Sequence, residues 1–221
     1  MKIKIGNRII SEKSKPLIVA EIGINHFGSL KKAKRMVDEI KDAGAEAAKV
    51  QIHIPDEEMS EEAKSIKPGN STLSIYEVIK KNSLNLQEEF KLKKYIEKKG
   101  LIYLATPFSF KAARWLQKNK VKIFKIGSGE CNNYPLIELI SSFKKPMIIS
   151  TGMNKLENVK KTFFILKKNK IPHAFLHCVN LYPTNFKLVR MGRMVKFKKL
   201  FKQSIIGYSD HTEGVDVAKA S

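Results

Sequence analysis

A chain of 221 residues with 43% hydrophobic side chains can bury one full core, which excludes wholesale disorder. Its formal net charge of +21 comes from 42 basic and 21 acidic residues, and the basic ones are mostly lysines spread over every helical stretch. Dispersed lysine without an arginine and aromatic stripe excludes a base-reading nucleic-acid surface; it reads as a solvated basic exterior whose field favours small anions. The two cysteines, Cys131 and Cys178, stand in no CxxC or CxxxH spacing, so neither a zinc site nor a disulfide framework is expected. The opening Met1-Lys2-Ile3-Lys4-Ile5 lacks an apolar signal core, and no run nears the roughly 18 apolar residues of a membrane span. The expectation is a cytoplasmic protein with neither a membrane nor a nucleic-acid partner.

In chain order, residues 2–11 alternate apolar and polar around Gly6-Asn7, the pattern of a β-hairpin with a two-residue turn. A strand is expected over 17–22, ending in Glu21 and Asn25. A helix follows over 30–43, with Ser29 as N-cap and Gly44 just past its end. The second strand, 47–52, carries Lys49 and Gln51. A long segment, 53–82, then precedes a helix over 86–99; loops of that length usually carry function. The third strand, 102–105, ends at Thr106, with a helix over 110–119. The fourth, 123–126, carries Lys125 and runs into Ser128 and Glu130, with a short helix over 134–143. The fifth, 147–150, ends at Ser150-Thr151, with a helix from about 156 to 170. The sixth, 174–178, leads to Asn180 and Tyr182, then to a partly helical stretch over 188–201. The seventh, 204–208, gives way to Ser209-Asp210-His211, and a further helix begins at 215.

Strand, polar strand end, helix, repeated, is the sequence form of a β/α barrel with its active site at the strand C-termini. No eighth strand is found. The expected fold is α/β: a TIM-type (β/α) barrel, incomplete at about seven of eight strands, with a gap between the seventh and the first. The expected division is a hairpin over 1–15 and a barrel over 16–221.

Two lysines, Lys49 and Lys125, sit near strand ends from which both can face one centre. An inward ammonium needs an anion or a wet cavity, because an unpaired buried charge is costly. Either they clamp a phosphate or carboxylate, or one of them forms a salt bridge with Glu21 or Glu130. Gly127-Ser128-Gly129-Glu130 allows close approach to an oxyanion, and Thr106, Ser150 and Ser209 add donors. His211 beside Asp210 suits metal ligation or proton transfer about as well as a satisfied rim position. A strand-end lysine also suits Schiff-base chemistry.

Five stretches carry a resemblance: Ala20-Glu21-Ile22-Gly23-Ile24-Asn25-His26; residues 125–136, beginning Lys125-Ile126-Gly127-Ser128-Gly129-Glu130; Ser150-Thr151-Gly152-Met153; His177-Cys178-Val179-Asn180-Leu181-Tyr182-Pro183-Thr184; and Gly207-Tyr208-Ser209-Asp210-His211-Thr212. Together they resemble the N-terminal barrel of the N-acetylneuraminate (sialic acid) synthases. The segment 51–76, with Asp56-Glu57-Glu58-Met59-Ser60 and Pro68-Gly69-Asn70, favours the bacterial sialic acid branch over the legionaminate and pseudaminate branches.

The resemblance implies condensation of phosphoenolpyruvate with open-chain N-acetylmannosamine to give N-acetylneuraminate and phosphate, with a divalent metal, usually manganese. It assigns catalytic roles to Glu21, Lys49, Lys125 and Glu130, and substrate binding to Gln51, Asn70, Thr106, Ser128, Ser150, Asn180, Tyr182 and Ser209. Within that set, Glu21, Gln51, Asn70, Glu130 and Tyr182 would orient the sugar and the metal shell. The rest, with Lys49 and Lys125, suit the multiply charged phosphoenolpyruvate. His211 matches one of two family metal histidines; the other belongs to the eighth strand. A C-terminal antifreeze-like domain, which in the family reaches across a homodimer, is not found either. Little synthase activity is therefore expected of these 221 residues alone. The alternatives are a synthase of a related nonulosonic acid, a Schiff-base barrel aldolase, or an inactive shortened copy.

Overall fold

The hairpin forms where the alternation places it. Strands β1 (Ile3–Ile5) and β2 (Arg8–Ile10) pair antiparallel, Ile3 opposite Ile10 and Ile5 opposite Arg8. The two-residue turn holds φ +60° at Gly6 and no positive φ at Asn7, the type II′ pattern that asks for glycine at the first position. The structure is a computed structural model describing residues 1–67 and 72–221, so Pro68, Gly69 and Asn70 lie outside the described residues. The chain divides into two compact units, one of residues 16–121 and one of residues 1–15 with 122–221.

The unit 16–121 is built on β3 (Val19–Gly23), β4 (Ala47–Ile52) and β5 (Ile102–Pro107), parallel and side by side in that order. Helix α1 (Leu30–Asp42) joins the first two strands, capped by Ser29, and buries Ala33 and Val37. After β4 come α2 (Pro55–Glu58), α3 (Glu61–Lys64), α4 (Ile75–Asn82) and α5 (Leu86–Lys98); α6 (Phe110–Lys118) follows β5. In β4 every residue but Gln51 is buried, as a central parallel strand covered on both faces requires. Helix α4 falls inside the segment expected to be a loop. Its start has a capping box, with Ser74 accepting from Glu77 N and Glu77 from Ser74 N, a signal legible as Ser-x-x-Glu.

The second unit contains β6 (Phe124–Ile126), α7 (Tyr134–Ser142), β7 (Met147–Ser150), α8 (Leu156–Lys168), β8 (His173–Cys178), α9 (Phe186–Val189), α10 (Gly192–Leu200), β9 (Ile205–Ser209) and α11 (Asp216–Ala220). Its four strands are parallel in sequence order. Phe163, Phe175, Phe197 and Phe201 pack between sheet and helices with ring centroids 5.1–5.5 Å apart. The stretch expected to be partly helical over 188–201 is two helices, broken where Arg190 adopts φ +51°. The hairpin belongs to this unit and meets N-terminal strand ends: Met1 Sδ accepts from His173 N at 3.3 Å, and the start of β6 lies close enough that a Cβ on Gly6 would meet Lys122 Nζ at 3.2 Å. Every expected strand is present, with ends displaced by at most two residues. Among the described residues no helix is long and apolar enough to cross a membrane.

One buried acid stands apart from the strand ends. Glu89, on α5, is 2% exposed, and its Oε2 has no hydrogen-bond partner; neither does the hydroxyl of buried Tyr103. Burial, helped by Glu88, pushes the Glu89 carboxyl up to about 8. Lys93, one turn on, is held by Glu97 at 2.8 Å rather than by Glu89. Because the folded value lies above the ordinary 4.5, this group costs nothing below about pH 4.5 and progressively destabilises the fold as pH rises to about 8. Its contribution to the stability curve is a slope of up to about 1.4 kcal/mol per pH unit. Urea denaturation of Glu89→Gln at pH 5.5, 7 and 8 is expected to show a flatter profile and higher stability at pH 8; a parent-like slope contradicts the assignment.

Candidate functional site

In the unit 16–121, register partners on neighbouring strands share a face. Glu21 on β3 is the register partner of Lys49 on β4, and Lys49 Nζ lies 2.5 Å from Glu21 Oε2. Lys49 is 6% exposed while Glu21 is open to solvent, so the ion pair lets an ammonium sit inside and keeps its charge met. The salt-bridge alternative is thus realised for Lys49, on the Glu21 side. Two residues along β4, Gln51 pairs in register with Thr106, whose Oγ1 is fully buried without a hydrogen-bond partner.

Gln51 leads to groups that sequence reading passed over. Its Oε1 lies 3.2 Å from His53 Nε2, and His53 Nδ1 lies 2.9 Å from Glu58 Oε1. The His53 ring stacks on Phe108, centroids 4.3 Å apart and 12° from parallel. The triplet Asp56-Glu57-Glu58 fans out: Asp56 accepts from Tyr76 OH, Glu57 from Lys111 Nζ, and Glu58 meets His53. These contacts tie α2 to α4, α6 and the end of β4.

In the second unit, Lys125 on β6 is 7% exposed; its Nζ donates to Ser150 Oγ at 2.6 Å and to Ile126 O at 3.0 Å. Beside it runs a directed chain. Gly152 N–H donates to Ser128 Oγ (3.1 Å), the Ser128 hydroxyl to Cys178 Sγ (3.6 Å), and the thiol to Asn180 Oδ1 (3.2 Å). With its oxygen engaged, the Asn180 amide has its N–H donors left for a ligand. Gly152 sits so close beneath that a Cβ there would come within 1.8 Å of Asn180 Oδ1 and 3.0 Å of Ser128 Oγ. Asn154 Nδ2 clamps the Ser128 and Gly152 carbonyls, both at 2.7 Å.

His211 follows β9. Its Nδ1–H donates to Val179 O at 2.7 Å, and its Nε2 accepts from Tyr182 OH at 3.0 Å, the two rings 4.1 Å apart. Burial pushes the imidazole down, but Cys178, the Val179 carbonyl and Asp210 together raise it above its ordinary value. For the Cys178 thiol, burial raises and His211, Ser128 and Lys125 lower, with a net lowering. Asp210 turns back to Thr212 N, Thr212 Oγ1 and Tyr208 OH. Among the described residues no three His, Cys, Asp or Glu side chains come together to hold a metal ion. His211, with Nδ1 fixed by a carbonyl, fits a metal as one donor; a complete ligand set is not formed. Glu130 Oε2 accepts from Asn133 Nδ2 at 2.6 Å, at the cap of α7, and Ser209 is the register partner of Cys178.

Glu21, Lys49, Gln51 and Thr106 are therefore on one sheet, and Lys125, Ser128, Ser150, Asn180, Tyr182, Ser209 and His211 at the C-terminal strand ends and following loops of the other. Asn70 lies outside the described residues. Sequence reading missed His53 and Glu58, whose spacing resembles no catalytic motif, and the thiol of Cys178, which was tested only for metal and disulfide spacings.

Parallel strands in sequence order, helices between them, and buried lysines with hydroxyls at the strand C-termini define an α/β barrel domain of the TIM type. The chain belongs to the NeuB family, whose model matches residues 36–221. It is 34% identical over 214 residues to the N,N'-diacetyllegionaminic acid synthase of Campylobacter jejuni, covering 94% of this chain and 64% of that protein. It is 32% identical over 208 residues to the human N-acetylneuraminate-9-phosphate synthase, covering 92% and 58%. A crystal structure of N-acetylneuraminic acid (sialic acid) synthetase from Leptospira borgpetersenii, in complex with citrate, superposes with a TM-score of 0.89 at 31% identity, over 98% of this chain and 72% of that one. The chain spans about three fifths of the length of the curated relatives it matches.

The close fit of Gly152 makes a testable demand. Gly152→Ala is expected to displace Asn180 and Ser128 and to cost about 1–3 kcal/mol in urea denaturation, the usual scale for forced overpacking. An unchanged midpoint would show that the loop yields.

Proposed function

We propose that this chain is the barrel of a nonulosonic acid synthase that joins phosphoenolpyruvate to an N-acyl amino sugar, with N-acetylmannosamine the favoured partner and N-acetylneuraminate and phosphate the products. The observation that carries this is buried Lys125 at the end of β6, donating to Ser150 beside the Ser128–Gly152 contact, in a chain of this family. An ammonium and hydroxyls in a poorly hydrated strand end suit a multiply charged enol phosphate. Lys125, Ser128, Ser150, Asn180 and Ser209 are assigned to the anion, together with Lys49 and Thr106. Glu21, Gln51, Asn70, Glu130 and Tyr182 are assigned to the sugar.

In the reaction, carbon 3 of the enol attacks the aldehyde carbon of the open-chain sugar, forming the new C–C bond. Water adds at carbon 2, and the C2–O–phosphate bond breaks to release phosphate and leave a 2-keto acid. The residues bind and orient the two partners. A divalent ion, manganese in this reading, polarises the aldehyde oxygen when bound. His211 would be one donor to it. A homodimer and a cytoplasmic setting belong to the same reading, as does the division into a hairpin over 1–15 and a barrel over 16–221.

Calorimetry with phosphoenolpyruvate tests the anion assignment. Lys125→Ala is expected to weaken binding by roughly 1.5–3 kcal/mol, about 10- to 150-fold, the scale of a charge-assisted contact. A variant that binds as tightly as the parent overturns it.

A further inference from the structure

Three polar groups near the end of β4 are left unused by the fold, the buried outer oxygen of Glu58 among them. Thr106 Oγ1 is fully buried without a partner, and the amide nitrogen of its register partner Gln51 makes no hydrogen bond among the described residues. The Gln51 oxygen, by contrast, is engaged by His53 Nε2. We propose that His53 and Glu58 are positioning residues for the sugar, holding Gln51 so that its amide N–H groups are presented as donors beside Thr106. This rests on the nonulosonic acid synthase reading above.

A glutamine amide turns easily about its last torsion and, left alone, offers oxygen or nitrogen alike. Here both faces of the choice are fixed from behind. Phe108 holds the imidazole flat at 4.3 Å, and with both ring nitrogens facing acceptor oxygens, Glu58 Oε1 at 2.9 Å and Gln51 Oε1 at 3.2 Å, it is the doubly protonated ring that donates to each. The side chains of His53 and Glu58 are 5% and 4% exposed, so neither is free to swing into solvent. Glu58 in turn sits at the end of α2, which Asp56–Tyr76 and Glu57–Lys111 anchor on either side. With its oxygen turned to His53, Gln51 presents its N–H donors away from the ring. Beside the Thr106 hydroxyl, which is kept for the anion, it complements an acceptor oxygen of the sugar, a hydroxyl or an acyl carbonyl. Such an arrangement selects an acceptor-rich ligand without ordering the amide at the moment of binding.

The test measures binding of N-acetylmannosamine and of phosphoenolpyruvate by the full chain carrying His53→Ala, Gln51→Ala, both together, or Glu58→Gln. His53→Ala and Gln51→Ala are each expected to weaken sugar binding about tenfold, and the double variant no more than Gln51→Ala alone, since coupled groups are non-additive. Glu58→Gln, which keeps an acceptor for Nδ1 and spares the fold, should give a smaller loss of the same kind. Phosphoenolpyruvate affinity should stay at the parent value throughout. Parent-like sugar binding by His53→Ala, losses that multiply in the double variant, or an equal loss of phosphoenolpyruvate affinity overturns the proposal. The side-chain amide resonances of Gln51 give a readout without ligand: they should move to the position of a solvated amide in His53→Ala, and unmoved resonances also overturn it. If the parent binds no amino sugar while those resonances do move, the synthase reading fails and the positioning of Gln51 stands.

Discussion

A lysine ammonium drawn inside a protein must have its N–H groups met, and this structure is arranged around that requirement on two strands, β4 and β6. Lys125 meets it with a serine hydroxyl one strand away and a backbone carbonyl. Lys49 meets it with the carboxylate opposite it in register. Parallel pairing makes both solutions possible, because residues level on adjacent strands point to the same side of the sheet. The rest of each strand end then follows. Ser150 is committed to Lys125, and next to it the loop after β7 brings Gly152 N onto Ser128, with Asn154 bracing both backbones.

The two strand-end amides repeat one device. Asn180 has its oxygen taken by the Cys178 thiol, and Gln51 has its oxygen taken by His53. Each therefore presents its N–H donors beyond the chain. Together with the ammonium groups and hydroxyls, the strand ends are rich in donors, with Glu21 the carboxylate already spent on Lys49. Within each unit, such donors complement oxygen acceptors. The net charge of +21 works in the same direction at longer range, raising the local concentration of anions within a Debye length of about 8–10 Å.

Much of this was legible before any coordinates. The strands over 47–52 and 147–150 fall where the apolar runs lie, because buried parallel strands read as unbroken apolar stretches. The candidate residues at strand ends followed from the same runs. What was lost depended on contacts distant in sequence or on backbone conformation. Arg190 breaks one expected helical stretch into two through a left-handed residue that nothing in its side chain announces. Helix α4 hid in a long polar segment, although Ser74 and Glu77 marked its start. Glu58 and His53 meet because α2 turns back over the strand end, a geometry that a five-residue spacing does not disclose. Cys178 was weighed as a metal or disulfide ligand, and its actual neighbours, Ser128 and Asn180, are reached only through the fold.

Burial alone does not make a lysine functional, and the chain contains its own control. Lys49, Lys93 and Lys125 are all buried, at 6%, 7% and 7% exposure. Lys93 lies on α5 and pairs with Glu97 one turn away, an intrahelical contact that completes itself and leaves nothing to offer a ligand. Lys125 lies on a strand, beside glycine-rich backbone and hydroxyls that no helix supplies, where a ligand oxygen can be held by ammonium, hydroxyl and amide donors at once. On the proposed reading, the difference between a structural and a ligand-binding lysine is therefore the company that the element brings. In a parallel α/β sheet that company gathers at the C-terminal strand ends, where successive loops supply hydroxyls, amides and glycine backbone to the same place.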